Sequence, residues 1–133
     1  TIQGNIIIDR GLCLAPEDET RMFAGEMALP FNSPPDSLIV NGKTVTVRFV
    51  PDTRTRSVVL SVEPPLDAVH IRGTLAYAAG PCAGQQSFVD AEGSLDYARI
   101  RVDGVLPLGC GPRSVRVSVL GHPEYFQRAF AQL

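Results

Sequence analysis

The stretch that most constrains the fold of this chain is residues 43–63, where two runs rich in Val, Thr and Phe flank a Pro-Asp pair. Apolar and polar side chains alternate in both runs, which is typical of strands with one buried face. The side chains expected in the core are Val45, Val47, Phe49, Val58, Leu60 and Val62. Pro51 suits the first central position of a turn, and Asp52 can accept hydrogen bonds from the backbone beyond it. The pattern predicts an antiparallel β-hairpin linked by residues 50–56.

The rest of the chain contains several more runs with the composition or alternation of strands. They lie at residues 3–9, 21–29, 68–78, 95–106 and 113–120. Asn41-Gly42 is favoured in a two-residue type I′ turn, so residues 37–47 form either a tight hairpin or a strand with a bulge. Seven to eight strands in a single domain, residues 1–133, predict an all-β fold: an antiparallel β-sandwich or a small barrel-like sandwich.

The tail is the one part that departs from the period of a strand. Pro123 suits the first helical position, and Glu124 suits the positive end of a helix dipole. The side chains at the spacing of one helical face are Phe126, Ala129, Phe130 and Leu133. A helix this short is unstable alone in water, so we expect a short C-terminal helix packed on its own domain.

Composition excludes several classes of protein. The formal net charge of −2 argues against a general nucleic-acid binder, which needs a clear basic excess. The sequence has no apolar run long enough for a membrane span, and no basic start followed by an apolar core that would indicate a signal peptide. Because the first residue is Thr1 and not Met, the missing signal says little about export.

The three cysteines, Cys13, Cys82 and Cys110, form no C-x-x-C pair, and His70 and His122 are distant from them in sequence. Cysteines and histidines at this spacing do not suggest a zinc site, so we expect neither a metal nor a cofactor. Cys82 and Cys110 each lie in a Gly/Pro-rich loop between predicted strands, which predicts a disulfide worth about 3 to 4 kcal/mol and leaves Cys13 as the odd thiol. The alternative is three reduced cysteines in a cytoplasmic protein.

The sequence offers little that indicates catalysis. It contains no G-x-S-x-G, no phosphate-binding Gly-rich loop and no H-E-x-x-H, so we expect a protein that is not an enzyme, with a small hydrolase as a distant possibility. Arginines occur at outward strand positions and in turns, where they either protect sheet edges or form a patch for an acidic partner. These are Arg48, Arg54, Arg56, Arg99, Arg101, Arg113 and Arg116.

One family resemblance rests on the order of these runs. It is carried by GNIIIDRG, ALPFNSPPDSLIV, VTVRFVP, RSVVLSVEPP and HIRGTLAYAAG. Residues 4–80 resemble the small β-sandwich lipoproteins of the YbaY and YscW kind, and most of all the pilotins of type III secretion. The resemblance implies a protein on the periplasmic face of the outer membrane that binds the C-terminal segment of a secretin subunit and assists secretin assembly. It also implies a lipid anchor that is absent from this chain, since Thr1 stands where a lipidated cysteine is expected.

The resemblance to pilotins implies a binding surface for the secretin segment. Such a segment would bind through an amphipathic helix or an added strand, which requires an exposed apolar strip. The preferred strip is Phe23, Met27, Leu29 and Phe31, and the second candidate is the tail face that contains Phe126 and Phe130. The alternative function is a periplasmic or secreted β-sandwich binding protein, such as an inhibitor or an adhesin subunit.

Overall fold

The structure is a computed structural model, and it describes residues 3–11, 36–83, 89–93 and 96–132. This part of the chain is mostly β, with three small sheets and one short helix near the C-terminus, and its strands close no barrel. The elements are β1 (Thr44–Asp52), β2 (Ser57–Glu63), β3 (Val69–Gly73), β4 (Ala76–Ala78), β5 (Val89–Gly93), β6 (Ala98–Val102), β7 (Val105–Pro107), β8 (Arg113–Ser118) and α1 (His122–Phe130). The expected β-rich fold with a short C-terminal helix is confirmed at this level.

The hairpin sheet (β1, β2 and β8) is antiparallel, with the order β2-β1-β8. Its central strand buries Val45, Val47 and Phe49 completely, each at 0% exposure. The alternate residues of β2, including Leu60 opposite Phe49, are half-buried and pack against the same core. The predicted hairpin and its inward face are therefore confirmed.

The link between β1 and β2 is shorter than predicted. Pro51 lies inside β1 and pairs with Val58, so it does not occupy the turn. Asp52 does have the predicted role: its Oδ1 accepts the backbone N–H of Arg54 at 2.9 Å, and its Oδ2 accepts the Thr55 hydroxyl at 2.8 Å. The turn is thus closed by the carboxylate, and the strand pairing extends to Pro51 although it has no N–H to donate to the ladder.

The parallel ladder (β3 and β4 beside β6 and β7) is the feature that sequence patterns did not predict. β3 pairs with β6 and β4 pairs with β7, both in parallel and in one continuing register, while β5 lies antiparallel on the other side of β6. The predicted strands at 68–78 and 95–106 are each interrupted once, beside Gly73 (φ +93°) and Gly104 (φ +124°). The expected purely antiparallel arrangement is wrong, because alternation reports which face is buried and not the direction of a strand.

Three other predicted strands are either corrected or lie outside the described residues. Residues 3–9 form no strand: Ile7 is 90% exposed, and the segment is held to the domain where Arg10 forms an ion pair with Asp36. Residues 37–40 form no strand either, although Asn41 and Gly42 do have the positive φ of a type I′ turn. The chain turns there into β1 instead of forming a hairpin. The predicted strand at 21–29 falls outside the described residues.

Side chains from the hairpin sheet, the parallel ladder and α1 meet in one core. Its buried members beyond β1 include Ile100, Val102, Leu106, Val117, Leu120 and Tyr125. Pro123 lies in the first turn of α1, as predicted. The helix buries Tyr125, whereas Phe126 and Phe130 are half-buried and stack on each other at 5.8 Å between ring centroids. Ala129 packs against the core as predicted, but Tyr125 is buried where the predicted face has Phe126 and Phe130. Leu133, the last member of the predicted face, lies outside the described residues.

Candidate functional site

A polar cluster that is buried except at Asn41 forms where the turn Asn41–Lys43, β1, β8 and α1 meet. We call it the tyrosine junction (Asn41, Lys43, Thr44, Ser118, His122 and Tyr125). The Tyr125 hydroxyl donates to the Thr44 carbonyl at 2.7 Å and accepts from Asn41 Nδ2 at 3.0 Å. Burial raises the pKa of the Tyr125 phenol, and the hydrogen bond from Asn41 only partly opposes this. The phenol therefore stays protonated at neutral pH and remains a donor.

The junction holds an unusual backbone conformation. Asn41, Gly42 and Lys43 all have φ between +48° and +57°, and Leu120 has φ +63°. Such left-handed conformations cost free energy for residues other than glycine and persist only where surrounding contacts hold them. The bonds from Tyr125 and Asn41 hold this turn. Lys43 and Ser118 are only 8% and 7% exposed, so these side chains are not accessible to a substrate and stabilise the fold.

The parallel ladder ends at a covalent link. Gly109 donates its N–H to the Gly80 carbonyl at 2.9 Å, and just beyond them Cys82 and Cys110 are joined by a disulfide across a sequence separation of 28. Arg113 Nη2 lies 3.5 Å from Cys82 Sγ. The link fixes two segments that have no short connection between them.

Metal binding and membrane crossing both lack support in the described part of the chain. Within it, no three His, Cys, Asp or Glu side chains are grouped so that they could hold a metal ion. His70 is exposed on β3 and His122 is buried in α1. The described residues also include no helix with the length and apolar character that a membrane span requires.

The outward face of β3, β6 and β5 is a charged surface, which we call the arginine face (His70, Arg72, Arg99, Arg101, Asp90, Glu92 and the neighbouring Tyr97). Along one row, His70 on β3 faces Arg99 on β6; along the next, Arg72 faces Arg101. The guanidinium of Arg99 lies 3.5 Å from Glu92 and 5.5 Å from the centre of the Tyr97 ring. Two strands thus carry positive charge, and the third carries Asp90 and Glu92.

The sequence predicts which of these side chains face outward, but not how they are paired. Alternation places Arg72, Arg99 and Arg101 on outward faces, but nothing in it shows that β3 and β6 are parallel neighbours, so it does not predict that Arg72 faces Arg101. A usable signal exists: the dipeptide Ile-Arg occurs in both strands, at residues 71–72 and 100–101, and these copies pair in register.

The residues predicted to bind a partner, Phe23, Met27, Leu29 and Phe31, lie outside the described residues, as does Cys13. They stay predictions about the sequence. None of them contributes to the geometry given above.

Comparison with known proteins gives one decisive observation: the family model for the D-Ala-D-Ala carboxypeptidase 3 (S13) family matches residues 1–133. This chain belongs to the S13 carboxypeptidase family. Its fold is similar to the crystal structure of penicillin-binding protein 4 (dacB) from Haemophilus influenzae, with a TM-score of 0.59 and 15% sequence identity. The match covers 93% of this chain and 27% of that protein, so the chain spans about a quarter of its length. No curated protein matches the chain by sequence.

Membership of the S13 family overturns the interpretation based on pilotins. The resemblance to pilotins is wrong, and with it the expected role in type III secretion, the secretin partner and the assembly of a secretin ring. The alternative of a generic binding protein and the expectation that the protein is not an enzyme are wrong as well. Alternating Val and Thr runs separated by prolines recur in many β-rich proteins, so their order is a weak guide to a family.

S13 membership also directs attention to motifs of penicillin-binding enzymes, which combine S-x-x-K, S-D-N and K-T-G. Lys43 is the single lysine of the chain, and Val40 stands three residues before it, so S-x-x-K does not occur in these 133 residues. Lys43-Thr44 begins a strand but is followed by Val45 and not by Gly. Thr44 is only 4% exposed, so this Lys-Thr pair belongs to the buried tyrosine junction.

Proposed function

We propose that this chain is part of a D-Ala-D-Ala carboxypeptidase-type enzyme that removes the terminal D-Ala from peptides of peptidoglycan. The observation that carries this proposal is the S13 family model, which matches the chain from residue 1 to residue 133. The similarity of fold to a penicillin-binding protein supports it.

Within such an enzyme, we assign the covalent step to residues other than these 133. Penicillin-binding enzymes use a serine activated by the lysine of S-x-x-K, and the single lysine here is buried at the start of β1. The chain instead supplies a rigid β-rich unit. Its sheets stack in the manner of a sandwich, an arrangement supported by the shared burial of Val47 from the hairpin sheet and Ile100 and Leu106 from the ladder.

The same proposal places the enzyme outside the cytoplasm. Disulfides persist in oxidising compartments, and the bond between Cys82 and Cys110 suits such a location. Peptidoglycan is also found there. Attachment to the outer membrane through a lipid stays a prediction.

The test uses protein purified from the organism that produces it. An affinity tag inserted in the exposed turn 53–56, where insertions are well tolerated, allows purification with all native flanking sequence retained. We expect the purified protein to release D-Ala from a peptide ending in D-Ala-D-Ala, and we expect a penicillin to block this release. The matched control is the same protein inactivated by penicillin beforehand. A tagged protein that is folded and releases no D-Ala would refute the proposal.

A further inference from the structure

The arginine face has an arrangement of charges that folding alone does not favour. Arg72 and Arg101 are register partners on the parallel strands β3 and β6, and like charges this close repel each other. The strands of a sheet lie about 4.8 Å apart, so the two side chains leave the sheet side by side. Two like charges that face each other without stabilising the fold indicate that they bind a ligand.

The described part of the molecule does not neutralise this pair. Arg72 forms no ion pair or hydrogen bond with any described residue, and Arg101 is 3.8 Å from Asp103 with both side chains more than 70% exposed. Asp90 is the register partner of Arg101 on β5, yet no described residue forms a salt bridge with Asp90. Arg72 is thus open to an external ligand, and the exposed ion pair of Arg101 is weak enough to be exchanged for one.

Two neighbouring guanidinium groups favour a ligand that carries carboxylates. The planar fork of Arg binds carboxylates with two parallel hydrogen bonds, and two adjacent forks suit two carboxylates of the same molecule. Tyr97, 42% exposed beside Arg99, adds an aromatic surface. The column of Asp90 and Glu92 next to the arginines would repel an extended anionic surface such as a membrane, whereas it would attract an amino group.

We propose that the arginine face binds an uncross-linked peptidoglycan peptide, with its carboxylates on Arg72 and Arg101 and its free amino group towards Asp90 and Glu92. The identity of this ligand rests on the proposed function, while the arrangement of the surface does not. The face then holds the peptide of the wall polymer on the enzyme and raises its local concentration.

Calorimetric titration of the tagged enzyme, with its catalytic serine blocked beforehand by a penicillin, against a soluble muramyl peptide that ends in D-Ala-D-Ala tests this inference. We expect the double variant Arg72→Gln/Arg101→Gln to bind at least tenfold more weakly than the wild type, since each charged hydrogen bond contributes about a factor of ten. The matched control is Arg48→Gln/Arg116→Gln on the outer face of the hairpin sheet, which removes the same charge and should change affinity less than twofold. Circular dichroism confirms that each variant is folded.

Three outcomes would overturn the inference. They are no binding by the wild type, equal losses in both double variants, and binding to anionic phospholipid vesicles in place of the peptide. The release of D-Ala by the tagged enzyme is measured separately. If the enzyme is active and the arginine face binds nothing, this inference alone fails; if the face binds the peptide and the enzyme is inactive, the proposed function fails.

Discussion

The hairpin sheet and the parallel ladder are built from similar residues but depend on different parts of the chain. In the hairpin sheet, β1 and β2 are joined by a turn of four residues, and their pairing follows from local sequence. In the ladder, β3 and β6 are parallel neighbours, which always requires a long connection, and a disulfide closes the far end. Local sequence patterns therefore specify the hairpin sheet, whereas contacts between distant segments specify the parallel ladder.

The largest expected effect tests the hairpin sheet. Phe49→Ala removes a fully buried aromatic side chain and should lower the free energy of unfolding by about 3 to 5 kcal/mol in a urea titration. The control is Val50→Ala on the outer face, where the side chain is 42% exposed; it should cost less than about 1 kcal/mol. Equal losses would show that the assigned faces of β1 are wrong.

The next effect concerns the ladder. Cys82→Ser/Cys110→Ser removes the link and should lower the free energy of unfolding by about 3 to 4 kcal/mol. Hydrogen exchange should show that β4 and β7 lose more protection than β1 and β2, because only the ladder is held by the disulfide. Alkylation of the wild type without reductant should modify a single cysteine, Cys13. Modification of all three would contradict the structure of the ladder.

A smaller loss of stability is expected where the ladder is interrupted. Two glycine variants distinguish steric crowding there from backbone strain. A Cβ atom at Gly73 would lie 2.0 Å from the Val102 carbonyl oxygen, and φ there is +93°. Gly73→Ala should therefore cost at least about 2 kcal/mol from the two causes together. Gly80→Ala is the control, because φ is +124° and nothing lies within 4 Å of the new atom. If the two variants were equally stable, strain alone would explain the glycine at position 73.

The smallest effect is a pH dependence in the two loops that flank β2. The Thr55 hydroxyl, with the Arg54 N–H, lowers the pKa of Asp52, and the hydrogen bond from Arg128 lowers the pKa of Asp67. A carboxyl group with a lowered pKa in the folded state stabilises it above its unfolded pKa, and this stability is lost as the pH falls through the folded pKa. Thermal midpoints should fall as the pH drops below about 4. Asp52→Asn and Asp67→Asn should each make that fall shallower, and an unchanged slope would contradict the assignment.

Sequence alone predicted those parts of the fold that depend on nearby residues. The inward faces of β1, β2, β6 and β8 follow from alternation, and the start of α1 follows from Pro123. Strand direction and the pairing of β3 with β6 do not follow, because they depend on contacts between distant segments. The run at residues 3–9 has the composition of a strand and yet finds no neighbour in the described structure.

The candidate site was less accessible to sequence reasoning than the fold. Arg101 was recognised as an outward residue, but its importance comes from standing opposite Arg72, and that is a property of the register. The tyrosine junction was missed for a similar reason, since Asn41 and Tyr125 are 84 residues apart in the chain. Family membership came from comparison of the whole chain, and no single motif of these 133 residues would have predicted it.

We assign the covalent step to residues other than 1–133, and mapping the serine that a penicillin acylates tests this assignment most directly. The tagged enzyme is treated with a penicillin, digested and analysed by mass spectrometry, and peptides of residues 1–133 are identified by their masses. We expect one acylated serine in an S-x-x-K motif, and unmodified serines throughout these 133 residues. Acylation of a serine within residues 1–133, or no acylation of the folded protein, would contradict it.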